Sequence, residues 1–190
     1  MSAARRKMTL DAYLDWEAEQ ETRNEFVGGE VVAMVDVTRA HDRINVNLLC
    51  ELTPQLRGSR CRILSSSMKL VCANGNVRYP DATIDCGPFV ATDMLAAEPR
   101  LVVGVLSKST AATDFVLKMR DYATVPSIDT CLLLWQDEPR AVINSRTGEG
   151  WRPEEVSGIE GAVELPSVGA RLALAEVYAG LGFEPAEPPP

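Results

Sequence analysis

The segment Tyr79-Pro80-Asp81, then a spacer, then Leu101-Val102-Val103-Gly104-Val105-Leu106-Ser107, has the layout of a divalent-cation site with one carboxylate absent. Several nucleases end one strand on an acidic residue and carry a second on the next strand, so that both carboxylates face one ion that activates water. Here the second slot is Gly104, which offers neither charge nor a side-chain oxygen. Three further side chains are of the right type to complete such a site. Glu25 could bring another carboxylate to the same cleft. His41, the only histidine, could contact a phosphate or an attacking water near a helix N-terminus. Lys118 could stabilise charge developing on a phosphate oxygen.

Each of these has a plainer reading. Asp81, Thr83 and Asp85 alternate with apolar neighbours, which gives one polar strand face; that face lines a cleft, or the strand is a sheet edge with Asp81 in solvent. Glu25 could be a solvent-facing residue at a strand start, and a lone histidine is commonly a helix-end residue. Asp114, Lys118 and Tyr122 are four apart and share a helical face, so Asp114 and Lys118 could be only a surface ion pair.

The elements that must position these residues can be read from the pattern. Thr9 caps an amphipathic helix running to about Gln20, and Gly28-Gly29 separates two apolar strands within Asn24 to Met34. A second helix runs from Ala40 to Leu56, with Gly58 at its C-terminal end. Arg62 to Cys72 reads as a strand broken or bulged at Ser65-Ser66-Ser67, and Asn74-Gly75 turns into a strand from Val77 to Cys86. Leu101 to Leu106 is apolar throughout and predicts a central strand. A helix over Thr110 to Thr124, a buried strand over Ile128 to Trp135 and a strand over Arg140 to Ser145 follow, which implies a right-handed crossover. An edge pair near Trp151 and Val163 and a last helix from Leu174 to Leu181 complete the chain.

This order predicts an α/β domain with a central mixed sheet flanked by helices. With 190 residues, one domain over residues 8–183 is expected, between a flexible N-terminus at 1–7 and a Pro-rich, disordered tail at 184–190. No apolar run is long enough for a membrane helix, so no membrane partner and a cytoplasmic location are expected. Five scattered cysteines without CxxC spacing suggest buried reduced thiols rather than disulfides or zinc. A net charge of −8 argues against a broad electrostatic surface for nucleic acid. A local basic strip from Arg39, Arg43, Lys69, Arg78, Lys108, Lys118 and Arg120 is compatible with DNA, and so is a scatter of unrelated surface charges.

Taken together, Met8 to Leu14, Asn24 to Met34, Arg39 to Ile44, Tyr79-Pro80-Asp81, and Val102 to Thr110 with Lys118 and Tyr122 resemble the Uma2 family. That is a large bacterial group of restriction endonuclease-like proteins related to the PD-(D/E)xK nucleases. The resemblance covers nearly the whole chain and implies a restriction-endonuclease-like fold and Mg2+- or Mn2+-dependent hydrolysis of DNA. It implies Asp81 and Glu25 as metal ligands and Asp81, Lys118, Glu25 and His41 as catalytic residues. A homodimer is expected because enzymes that cut duplexes often pair two sites. The family's Glu-Val-Leu-Ser-Pro-Ser-Thr is here Gly104-Val105-Leu106-Ser107-Lys108-Ser109-Thr110, so Gly104 stands at the third metal-ligand position and Lys108 replaces a proline. Two functions stay open: a divalent-metal endonuclease impaired at Gly104, and a non-catalytic binding or dimerisation module on the same fold.

Overall fold

The computed structural model describes residues 7–34, 36–107 and 113–183. The N-terminal and Pro-rich ends, Lys108, Thr110 and the side chain of Asp114 lie outside the described residues. Thr9 caps α1 (Leu10–Glu17), accepting a hydrogen bond from the Ala12 N–H. The hairpin β1 (Asn24–Val27) and β2 (Glu30–Ala33) turns at Gly28 and Gly29, with φ of 58° and 89°, a backbone region that glycine enters without strain. Thr38 caps α2 (Arg39–Gln55), whose Ile44, Leu48 and Leu52 are fully buried.

The next stretch adds a change of sheet to the sequence reading. Arg62 to Cys72 is broken at the serines rather than bulged: it is β3 (Arg62–Ser65) and β4 (Leu70–Val71), which belong to different sheets. Val77 to Cys86 likewise divides into β5 (Val77–Arg78) and β6 (Ala82–Asp85). Pro80 has no N–H to donate, so the ladder breaks at Tyr79-Pro80-Asp81 and the chain passes from one sheet to the other there. Then come β7 (Pro99–Leu106), α3 (Thr113–Ala123), β8 (Thr130–Trp135), β9 (Arg140–Thr147), β10 (Gly150–Ser157), β11 (Ala162–Leu165), β12 (Ala170–Ala173) and α4 (Leu174–Val177). The edge pair expected near Trp151 and Val163 does not form: Trp151 lies on β10 against β9, and Val163 on β11 against β12.

The central sheet is six-stranded and mixed, in the order β10-β9-β8-β7-β6-β3, with β7 and β8 parallel. A four-stranded sheet, β2-β1-β5-β4, stands beside it. On β7, Leu101, Val103 and Val105 face the core built with Ile44, Leu48 and Leu52 of α2. Val102 packs on the opposite face with Tyr122 of α3, Ile128 and Cys131. Side chains alternate along a strand, so Gly104 belongs to the face that α3 covers.

The cysteine reading is corrected: Cys61 and Cys86 form a disulfide, Cys50 is exposed, and only Cys72 and Cys131 are buried thiols. The antiparallel register that pairs Arg62 with Asp85 sets Cys61 opposite Cys86 one step further on. The basic strip is corrected too. Lys69 and Arg78 are buried in ion pairs with carboxylates, because a cation inside the fold needs a partner to offset lost hydration. Among the described residues, no helix is long and apolar enough to cross a membrane.

Candidate active site

The β6–β7 junction makes the site. The Asp81 N–H donates to the Val103 carbonyl at 3.0 Å, and the Val105 N–H donates to Asp81 Oδ2 at 2.7 Å. Ala82 pairs with Val103, so the same register carried one position outward sets Asp81 opposite Gly104. Residues directly opposite in an antiparallel pair share a face, with Cβ atoms about 5 Å apart. A carboxylate at position 104 would therefore stand beside that of Asp81. Asp81 is not a solvent residue on an edge strand; β6 lies between β3 and β7, and Thr83 and Asp85 on its polar face are buried. Asp85 accepts the Glu98 N–H at 2.5 Å, which is how that buried carboxylate is satisfied.

His41 enters from the first turn of α2. Its Nε2 is 3.1 Å from Asp81 Oδ1, so both Asp81 oxygens have a partner within the protein. The helix start is held by Thr38, whose hydroxyl accepts the His41 N–H at 3.1 Å and donates to Gln136 Oε1 at 2.7 Å.

Glu25 comes from β1 and is buried. Its Oε2 accepts from Arg78 Nη1 at 2.7 Å; its Oε1 accepts the Tyr79 N–H at 3.2 Å and lies 3.4 Å from Lys118 Nζ. Arg78 reaches with its Nε to Asp121 Oδ2 at 2.7 Å. The pKa of Arg78 is raised, because the attraction of Glu25 and its hydrogen bonds with Glu25 and Asp121 outweigh desolvation, the largest single effect and an opposing one. Burial in the same region raises the pKa of Tyr79 first, and its hydrogen bond to Glu17 at 2.5 Å adds to that. Tyr79 is thus a neutral donor to Glu17, whose other oxygen takes the Lys69 ammonium. This lattice fixes the Tyr-Pro-Asp turn from behind.

The sequence candidates therefore converge. A cleft of about 550 Å³ is lined by Glu25, His41, Asp81, Gly104 and Lys118, with Val32, Met34 and Val37 on one lip. A smaller cavity of about 70 Å³ opens behind Gly104 between β7 and α3. A Cβ built on Gly104 would meet Leu133 Cδ2 at 3.5 Å, ordinary contact, so the backbone accepts a side chain there. Arg78 and Asp121 are the site residues that sequence reasoning did not bring to the cleft. Asp121 sits three residues after Lys118, a spacing that puts both on one helical face, and that was the available signal.

Magnesium prefers several oxygen ligands in near-octahedral order, commonly carboxylates supplemented by water and phosphate. The residues present do not compose such a site. Gly104 has no side-chain oxygen to give, Glu25 and Asp81 are engaged by protein donors, and no group of three or more His, Cys, Asp or Glu suited to a metal occurs among the described residues.

The mixed-sheet fold that carries Asp81, Glu25, His41 and Lys118 is one that a solved structure shares. A crystal structure of a putative nuclease belonging to DUF820, from Anabaena variabilis, superposes with a TM-score of 0.74 at 15% identity, covering 90% of this chain and 98% of that one. The family follows from sequence: the Uma2 model, described as putative restriction endonuclease, matches residues 10–175, and the chain belongs to that family. Two uncharacterized proteins of a Synechocystis strain are also similar. One is 31% identical over 180 residues, with 93% of this chain and 94% of the relative covered. The other is 27% identical over 163 residues, with coverage of 83% and 92%.

Proposed function

We propose that this chain is an endonuclease-like protein whose cleft is shaped for a DNA phosphodiester and whose cleavage is impaired by the loss of the carboxylate at position 104. The observation that carries this reading is Gly104 itself. It lies opposite Asp81 in the strand register and lines the cleft with Lys118 and His41, with a 70 Å³ cavity behind it and room for a Cβ. The pattern is that of a site lacking one side chain. In a complete site the cation would supply a Lewis acid and an activated water. Here the remaining residues have narrower tasks: Lys118 presents an ammonium to a phosphate oxygen, and Asp81, oriented by His41 and the Val105 N–H, supplies a carboxylate directly opposite position 104. Purified protein with supercoiled plasmid and Mg2+ or Mn2+ should nick slowly or not at all, and Gly104→Glu should raise the rate by about a hundredfold.

The alternative, a non-catalytic module that binds nucleic acid or a second copy, is favoured by one observation: both oxygens of Asp81 and of Glu25 already have protein partners. DNA as partner, a homodimer and a cytoplasmic setting belong to this proposal. If Gly104→Glu stays inactive while the protein still retards labelled DNA without added metal, the binding-module reading replaces the nuclease one.

A further inference from the structure

We propose that Glu25 is the anchor of Lys118 rather than a ligand of a divalent cation, and that Arg78 and Asp121 are the positioning residues that make it so. The inference deepens the reading above and rests on it only in taking Lys118 as the group that addresses phosphate.

The argument starts from charge. Glu25 lies between two cations, with Arg78 Nη1 at 2.7 Å from one oxygen and Lys118 Nζ at 3.4 Å from the other. A divalent cation on either oxygen would stand beside both positive charges, in a place where Glu25 and Arg78 are almost wholly out of water and screening is weak. Aqueous magnesium also gives up water reluctantly, so a carboxylate already neutralised is a poor ligand for it.

Geometry gives the same answer. Arg78 is 3% exposed, and its guanidinium spans Glu25 on β1 and Asp121 on α3. Asp121 Oδ1 accepts from Asn74 Nδ2 at 2.7 Å and Asn76 Nδ2 at 2.8 Å, while Asn76 Oδ1 accepts the Gly28 N–H at 2.8 Å. A continuous set of hydrogen bonds therefore runs from the β1–β2 turn through Asn76 to Asp121 on α3, and on through Arg78 to Glu25 on β1. Lys118 stands three residues before Asp121, so the clamp fixes the height of the turn that carries it. Its side chain keeps 26% of its surface exposed, directed to the cleft that Asp81 and Gly104 also line.

Two readouts test the assignment. In protein labelled with 15N-lysine at low temperature and pH 6, the Lys118 ammonium signal, identified by its loss in Lys118→Arg, should shift or broaden in Glu25→Gln while the backbone amide spectrum away from the cleft is retained. Glu25→Gln is close in shape and keeps the fold testable even where Arg78→Met does not fold. Separately, Mn2+ titrated into Gly104→Glu and into Gly104→Glu with Glu25→Gln should bind with affinities within about twofold of each other, while the second variant cuts DNA about tenfold more slowly. Asp81→Asn added to Gly104→Glu should abolish the Mn2+ binding. A Lys118 signal indifferent to Glu25→Gln, or a tenfold weaker Mn2+ affinity in the Glu25→Gln pair, overturns the assignment. Failure of Gly104→Glu to bind Mn2+ or cut DNA counts against the proposed function and leaves the lysine signal to decide this question alone.

Discussion

Replacing Arg78 with methionine should be the most destabilising single change at the site that leaves the apolar core intact. Arg78 is buried and holds two buried carboxylates at 2.7 Å each, Glu25 and Asp121. Methionine fills much of the volume but leaves the two acids facing each other without their shared cation. Breaking a buried pair by removing one member costs about 3 to 5 kcal/mol, since the surviving charge stays desolvated. Asp121 keeps its two asparagine donors and Glu25 keeps Tyr79 and Lys118, which places the loss near the middle of that range, about 4 kcal/mol. With a urea slope of about 2 kcal/mol/M, the unfolding midpoint should fall by about 2 M. Adding Glu25→Gln and Asp121→Asn should recover at least half of that shift, because the triple variant buries no unpaired charge. Circular dichroism with urea titration measures both. A midpoint within about 0.3 M of wild type for Arg78→Met would mean that the guanidinium does not bridge buried acids, and the clamp would have to be abandoned.

Other outcomes follow from the packing. Gly87 has no room for a side chain: a Cβ there would lie 2.8 Å from Ala97 Cβ and 2.9 Å from the Glu98 nitrogen, so Gly87→Ala should cost about 1 to 3 kcal/mol in urea unfolding. Gly104→Ala, by contrast, should be nearly neutral, with Leu133 Cδ2 at 3.5 Å. Loss of the Cys61–Cys86 disulfide, which closes a separation of 25 residues, should lower stability by about 3 kcal/mol and shift the midpoint in dithiothreitol. In the native oxidised protein, a thiol reagent at pH 8 should label Cys50 quickly. It should spare Cys72, whose thiol burial pushes up to about 12, as well as the buried Cys131, until denaturant is added.

Local signals carried much of the fold. Thr9 caps the helix that its position suggested, and the Gly28-Gly29 turn and the apolar run at residues 101–106 form the hairpin and the central strand. What failed was long range. Ser65 to Ser67 look like a break or bulge in one strand and Tyr79 to Asp81 like the middle of another, yet the chain changes sheets at both, and only the pairing of β3 with β6 and of β4 with β5 decides that. The disulfide was hidden for the same reason: Cys61 and Cys86 meet only because the β3–β6 register brings them opposite. At the site, Asp81, Glu25, His41, Gly104 and Lys118 were all readable by type and order, and the structure gathers them in one cleft. Arg78 was not. An arginine next to Tyr79-Pro80 reads as a surface charge until Glu25 and Asp121, far apart in sequence, close around it.

The central claim is that Gly104 is the missing member of an otherwise retained cleft. It is tested most directly by plasmid nicking in Mn2+, comparing wild type, Gly104→Glu, and Gly104→Glu with Asp81→Asn. The account predicts little or no cutting by wild type, a rise of about a hundredfold with the glutamate, and its loss when Asp81 is changed as well. Equal activity of wild type and Gly104→Glu, or cutting by Gly104→Glu that survives Asp81→Asn, would contradict it.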